Sequence, residues 1–236
     1  MIEIVRLHLA SLTVAQKEWP VHGFVLLHER AGPIIVDTGV GGPEHWLTDW
    51  RVVNRSVADA LAEHDLSPAD IRIVVNTHLH FDHCGQNAVF KHAPFYVQRA
   101  ELDRARREAR ELVDWFDFAG ARFELVDGDA EIVEGVHVVA SPGHTAGHQC
   151  ILVRTERQEM LIGDAAYTAA IYQRPDPQRL PEGQASDVER WTDSLRRLRA
   201  LAAHRVHFCH DTTVITNQPA TSTAAGRASS SRPAPP

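Results

Sequence analysis

Short apolar segments separated by turn signals run along most of the chain and predict a protein rich in β-strands. In the first half, the predicted strands are 2–8, 21–28 and 33–37, followed by the β-branched run 71–75, which has the character of a strand buried on both faces. In the second half, the same reasoning predicts strands at 122–125, 136–140, 149–154, 159–163 and 205–208.

Three segments have helical patterns instead. Ser56 is the expected N-cap of a helix over 57–64, and residues 98–113 carry one apolar stripe among many charges. Ser186 and Glu189 have the spacing of a capping box, which predicts the start of a third helix. The order of elements is therefore β-rich, α, β-rich, α. This order predicts an α/β fold of two packed sheets with helices outside.

The length and the end of the chain predict a single domain with a tail. The 236 residues suit one domain, which we place at 1–216. Residues 217–236 are rich in Pro, Ala, Ser and Thr and contain no large apolar side chain, so we expect them to be disordered. Between Thr168 and Ala185 lies a long connection with three prolines, which is long enough to form a lid over a substrate.

Composition narrows the function classes. The formal net charge is −7 and no basic stripe is visible, which argues against a nucleic-acid partner. No apolar run approaches the roughly 18 residues of a membrane span. The three cysteines form no CxxC pair and no even framework, which favours a reducing, cytoplasmic setting. A monomer and a homodimer are equally compatible with these data.

Histidine is the unusual residue, with 15 copies, and its clustering indicates metal binding. The sequence HLHFDH places His78, His80, Asp82 and His83 within six residues, directly after the predicted strand 71–75. Four ligand-type side chains so close together cannot share one face of a strand or helix. On a tight loop they can diverge toward two neighbouring ions, and imidazole with carboxylate suits Zn, Fe, Mn or Co.

Three further ligand candidates occur at predicted strand ends. His144 lies in the Gly-rich turn after 136–140, Asp164 ends the strand 159–163, and His210 follows 205–208. Ligand candidates at the ends of several strands imply that these strand ends lie together along one edge of the fold. The two oxygens of Asp164 could bridge a pair of ions.

These motifs resemble the metallo-β-lactamase superfamily over residues 20–211. The resemblance implies an αββα sandwich with a dinuclear site at one edge. It implies a first metal at His78, His80 and His144, and a second at Asp82, His83 and His210, with Asp164 between them. The implied cofactors are two divalent ions, with zinc expected. Asp37, in IIVDTG, matches a superfamily position beside the site, where it either supports a ligand or caps a turn.

Within this superfamily, the chain resembles the N-acyl homoserine lactone lactonases, the quorum-quenching enzymes. They have a Tyr three residues after the bridging Asp, as Tyr167 follows Asp164 here, and the GHTxGHQ and final His-Asp patterns also recur. Zinc β-lactamases have Cys where Asp164 stands, and flavodiiron proteins have Glu where His80 stands. Thioester hydrolases of the glyoxalase II type and ribonuclease Z share most of the ligand set and remain alternatives. A mono-iron persulfide dioxygenase and an inactive binding protein are further alternatives.

The predicted reaction is attack of a metal-bridging hydroxide on a small-molecule lactone. By resemblance, Asp82 exchanges the proton and Tyr167 stabilises charge on the carbonyl oxygen. We expect His148 to orient a ligand through a hydrogen bond. Phe81 projects from the ligand loop, where it either lines a pocket for the acyl chain or packs in the core.

Overall fold

The computed structural model describes residues 1–14, 16–108 and 115–217. The strands of one sheet are β1 (Ile2–Val14), β2 (Lys17–His28), β3 (Gly32–Val36), β4 (Val53–Asn54), β5 (Ile73–Val75), β6 (Phe95–Gln98) and β7 (Phe123–Val126). Their order in the sheet is β4-β1-β2-β3-β5-β6-β7. The pairs β3–β5, β5–β6 and β6–β7 are parallel, and the others are antiparallel.

The other sheet is built by the second half of the chain. Its strands are β8 (Ala130–Val133), β9 (Val136–Ala140), β10 (Gln149–Arg154), β11 (Gln158–Leu161), β12 (Arg205–His207) and β13 (Val214–Thr216). Their order is β13-β12-β11-β10-β9-β8, and the sheet is antiparallel except for the β11–β12 pair.

The two sheets pack face to face over one apolar core. Successive side chains of a strand point to opposite faces, so alternate residues enter this core. On β10, Ile151 and Val153 face the first sheet, whereas Cys150 and Leu152 join the outer cluster. On β2, Phe24 and Leu26 face the second sheet. The apolar runs of both strands are explained by burial on both faces.

Helices cover the outer faces and complete an αββα sandwich. On the second sheet, Trp191, Leu195 and Leu198 of the last long helix pack against the outward side chains of β10 and β11. None of the helices within the described ranges has the length and apolar character needed to cross a membrane. The α-helices are α1 (Glu44–Asp49), α2 (Val57–Ala62), α3 (Phe81–Cys84), α4 (Arg99–Glu108), α5 (Ala169–Gln173) and α6 (Val188–Ala200).

The predicted two-sheet architecture is confirmed, and several local predictions are corrected. The capping box at Ser186 is wrong, because Asp187 is the N-cap of α6 and accepts from the Arg190 N–H. Ser186 instead donates to the Gly143 carbonyl. The connection 168–185 contains the short helix α5, and its role as a lid stays a prediction. Ser56 does cap α2.

Some predicted boundaries fall on residues outside the described ranges and stay predictions. Of the predicted helix 98–113, residues 109–113 lie outside the described residues. The same holds for residues 218–236 of the predicted tail, and the placement of the domain at 1–216 stays a prediction.

Candidate metal centre

The seven predicted ligands meet at one edge of the sandwich, because each follows the end of a strand. His78 and His80 follow β5, and His80 is the N-cap of the one-turn helix α3, which carries Asp82 and His83. The prediction of a loop for these four residues is thus corrected in part. The second sheet supplies the remaining three after β9, β11 and β12, namely His144, Asp164 and His210.

One group consists of three imidazole nitrogens in a near-equilateral triangle. His78 Nε2 is 3.0 Å from His80 Nδ1 and 3.1 Å from His144 Nε2, and His80 Nδ1 is 3.1 Å from His144 Nε2. Nitrogens bound to one tetrahedral zinc are separated by about 3.3–3.4 Å, given Zn–N bonds of about 2.0–2.1 Å. Burial lowers the pKa of all three histidines, which favours the neutral imidazole that binds metal ions.

The hydrogen bonds of this group leave bare nitrogens facing one another. The Gln184 carbonyl oxygen can only accept, so His144 Nδ1, 3.2 Å away, carries the proton. The Thr77 hydroxyl donates to Asp37 and therefore accepts from His78 Nδ1 at 3.1 Å. His78 Nε2 and His144 Nε2 thus meet at 3.1 Å without a proton between them. A cation at this point would relieve the contact of their lone pairs.

The second group consists of Asp82, His83 and His210. Asp82 Oδ2 is 3.8 Å from His83 Nε2 and 3.6 Å from His210 Nε2. Burial lowers the pKa of His83 and of His210, but the surrounding carboxylates, led by Asp164, raise both above the ordinary value. The negative charge that would hold protons on these rings is equally suited to a metal cation.

Asp164 lies between the two groups. Its Oδ2 is 3.3 Å from His144 Nε2 and 3.7 Å from His78 Nε2, whereas its Oδ1 is 3.4 Å from His83 Nε2 and 3.3 Å from His210 Nε2. Burial raises the pKa of this carboxyl, but His83 and the other imidazoles hold it well below the usual range. The carboxylate therefore faces both groups with one oxygen each.

The residues present fit a pair of metal ions. His83 Nε2 and Asp164 Oδ1 are buried, face each other and have no hydrogen-bond partner. Buried polar atoms without a partner are rare in proteins, and a bound cation would satisfy both. The assignment of the seven side chains as ligands stays a prediction.

Asp37 holds the imidazole ring of His83, one of the predicted ligands, by a hydrogen bond. Its Oδ2 accepts from His83 Nδ1 at 2.8 Å and from the Thr77 hydroxyl, and its Oδ1 accepts from the Thr77 N–H. The residue has a φ of 58°, an uncommon conformation for a side chain with a Cβ. This arrangement fixes the His83 ring with Nε2 toward the centre.

His148 holds Asp164 through the main chain. Its Nε2 accepts from the Asp164 N–H at 3.0 Å, and its Nδ1 donates to the Ser141 hydroxyl at 2.8 Å. Burial lowers the pKa of His148 to about 3, so the ring stays a neutral acceptor. His148 thus contacts the backbone of a predicted ligand. The structure shows this contact, whereas the spacing of the residues in the sequence does not indicate it.

Tyr167 and Phe81 both lie next to the centre, but in different surroundings. The Tyr167 ring is 5.8 Å from that of His144 and 5.4 Å from that of His210, so it faces both groups. Phe81 points away, into a cluster of aromatic rings, with Trp46 at 5.5 Å and Trp50 at 5.3 Å.

Sequence reasoning missed Glu101, a fully buried carboxylate of α4 that joins two ligand loops. It accepts from the Leu79 N–H at 2.9 Å, the Thr145 hydroxyl at 2.6 Å and the Gly147 N–H at 3.2 Å. A Cβ at Gly147 would lie 2.2 Å from the Glu101 nitrogen, so only glycine allows this approach. Glu101 thereby fixes the His80 loop relative to the His144 turn.

Comparison with known proteins agrees with this geometry. The profile of the metallo-beta-lactamase superfamily matches residues 18–210. The chain belongs to this superfamily.

Relatives within the superfamily are N-acyl homoserine lactonases. One from a Bacillus species is 32% identical, with 79% of each chain covered. Another, AttM of Rhizobium radiobacter, is 29% identical and covers 86% of this chain and 82% of its own. A solved N-acyl homoserine lactone hydrolase, with N-hexanoyl-L-homoserine at its catalytic metal centre, superimposes with a TM-score of 0.71 at 26% identity, covering 89% of this chain and 93% of that one.

Proposed function

We propose that this protein is a dinuclear metal-dependent hydrolase that opens the ring of N-acyl homoserine lactones. The observation that carries the proposal is the pair of ligand groups that share Asp164, with the Tyr167 ring against His144 of one and His210 of the other. The lactonase relatives support the choice of substrate class.

The residues of the chain have distinct roles in this reaction. His78, His80 and His144 would hold one ion and Asp82, His83 and His210 the other, with Asp164 between them. Bound divalent ions supply a nucleophile at neutral pH by lowering the pKa of water toward ~7.

Two side chains act on the substrate and its protons. Burial raises the pKa of Tyr167, and the charges of Asp164 and Asp82 raise it further. The Tyr167 hydroxyl thus stays protonated and donates to the carbonyl oxygen of the lactone as negative charge develops there. An oxygen of Asp82 takes the proton of the attacking water and returns it to the ring oxygen when the C–O bond breaks.

An aromatic cluster beside the ligand loop suits the acyl chain. Phe81, Trp46, Trp50 and Trp115 pack edge to face, with ring centroids 5.3–5.5 Å apart. Trp50 is 39% exposed, so part of the cluster is open to solvent. We propose that this cluster binds the apolar chain of the substrate, which gives Phe81 a role in binding as well as in packing.

The expected setting follows from the same features. We propose zinc as the metal, with iron, manganese and cobalt as alternatives, because five of the ligands are imidazoles. The buried free thiols of Cys84, Cys150 and Cys209 suit a cytoplasmic enzyme. A monomer or homodimer without nucleic-acid or membrane partners is expected, which sedimentation and cell fractionation would check.

The test is a substrate panel with the purified, zinc-reconstituted protein. Ring opening of N-hexanoyl homoserine lactone is followed by proton release, beside a glutathione thioester, a phosphodiester, a β-lactam and a glutathione persulfide. We expect lactone opening, little β-lactam cleavage and about two ions per chain. Rapid cleavage of the thioester or the phosphodiester without any lactone opening would falsify the lactonase assignment. Full activity with one iron per chain, with oxygen consumed, would favour the dioxygenase.

A further inference from the structure

Gln184, in the segment between α5 and α6, contacts three residues of the candidate centre at once. Its side chain is fully buried. Its Oε1 accepts from the Tyr167 N–H at 3.0 Å, and its Nε2 donates to the Asp164 carbonyl at 2.7 Å. Its own carbonyl accepts from His144 Nδ1 at 3.2 Å. We propose that Gln184 is a positioning residue that fixes Asp164 and Tyr167 relative to His144.

The contact with Asp164 matters because this residue faces both ligand groups. Its peptide is held on one side by His148, which accepts the N–H, and on the other by Gln184, which donates to the C=O. A single methylene separates the carboxylate from the main chain. A small rotation of the peptide therefore moves Oδ1 relative to His210 and Oδ2 relative to His144, each 3.3 Å away at present.

The contact with Tyr167 extends the same control to the proposed hydrogen-bond donor. Gly183, next to Gln184, has a φ of +79°, and a Cβ there would lie 3.1 Å from the Tyr167 hydroxyl oxygen. The segment thus approaches both ends of Tyr167, with the Gln184 side chain at its amide and the Gly183 backbone at its hydroxyl. The proposed effect of Gln184 on Tyr167 rests on the proposed function. Its proposed effect on Asp164 and His144 concerns metal binding alone.

The side chain and the main chain of Gln184 can be tested separately. The Ser186 N–H and the Asp187 N–H both donate to the Gly143 carbonyl, at 2.8 and 3.0 Å, and fasten the segment to the His144 turn. The main-chain contact to His144 therefore survives a change of side chain. Methionine has nearly the length of glutamine, but it has no donor and only a weak sulfur acceptor, so it would leave the Asp164 C=O without a partner and the Tyr167 N–H without a good one.

The experiment measures zinc affinity by competition with a chromophoric chelator for wild type and Gln184→Met. Gln98→Met is the matched control, since Gln98 is a buried amide with bonds to Gly128 and Gln149 but not to the seven ligands. We expect the zinc Kd to rise about 10–100-fold in Gln184→Met and to change less than about twofold in Gln98→Met. Both variants should lower the Tm of the metal-free protein, because both lose buried hydrogen bonds.

An unchanged zinc Kd in folded Gln184→Met, with a lowered Tm, would refute the positioning role and leave Gln184 a structural residue. If Gln184→Met does not fold, Gln184→Asn replaces it, because its amide is one methylene too short to bridge both partners; a wild-type zinc Kd there refutes the proposal equally. With lactone as substrate, kcat should fall at nearly constant KM in Gln184→Met. Since the zinc measurement needs no substrate, a wild type inactive on lactones would sink the proposed function and leave this test intact.

Discussion

The most informative single change is Tyr167→Phe, which removes one hydroxyl. The ring packs against Trp19 at 6.0 Å as well as against the two histidine rings, so phenylalanine keeps the apolar contacts. One well-placed donor to a developing oxyanion contributes about 3–4 kcal/mol, or about 100–1000-fold in kcat. We expect a loss of about 10–1000-fold, with the lower end favoured because a metal ion at His144 would share the stabilisation.

The assay is proton release on opening of N-hexanoyl homoserine lactone at neutral pH, with metal content measured on the same samples. Tyr172→Phe is the matched control, because Tyr172 is a buried tyrosine that packs against Phe208 in the apolar cluster under α6 and contacts none of the candidate ligands. The control should keep its rate. A Tyr167→Phe enzyme with full metal content and a kcat within about twofold of wild type would refute the role of this hydroxyl.

Three further predictions concern metal binding, the tail and acid stability. Asp164→Ala should lose metal at both groups together with activity, whereas Asp193→Ala, at an exposed position of α6, should keep both; elemental analysis decides. A chain ending at Asn217 should keep its Tm and its rate, and a Tm shift of several degrees would show that the tail packs against the domain. Burial lowers the pKa of His22 to about 4, so the metal-free protein should lose up to about 3 kcal/mol of stability as the pH falls from 6.5, where the unfolded chain takes up the proton, toward 4. Urea unfolding of His22→Leu should show a flatter pH dependence, and parallel curves for the two proteins would contradict the reasoning.

The parts of the fold with strong local patterns could be predicted from the sequence. Both β9 and β10 have the predicted bounds, because their apolar runs are bounded by clear turns. The strand β6 was missed because it has only four residues and runs directly into α4, so that its last residue, Gln98, was taken as the start of the predicted helix. At an edge of the second sheet, β13 is three residues long and is defined only by its pairing with β12. Such short strands exist through tertiary pairing, which no local pattern reports.

The candidate ligands could also be predicted, whereas the residues that orient them could not. Ligand types such as His78 and Asp164 are recognisable by chemistry and by their position after a strand. Glu101 is one charge among many on a helix, so neither its residue type nor its spacing predicts that it is buried. It is buried because donors from two distant loops converge on it. Gln184 carries no signal at all, since its role depends on where the chain returns after α5.

The division of the ligands between the sheets links the metal centre to the stability of the sandwich. Each three-residue group takes two side chains from the segment after β5 and one from the second sheet, His144 or His210. Backbone bonds already join the sheets at this edge, from Gln149 to Thr77 and from His22 to Cys209, both at 2.9 Å. An ion bound at either group would therefore connect the two sheets directly. Because such an ion binds only the folded arrangement, its binding free energy adds to the stability of the packing between the sheets.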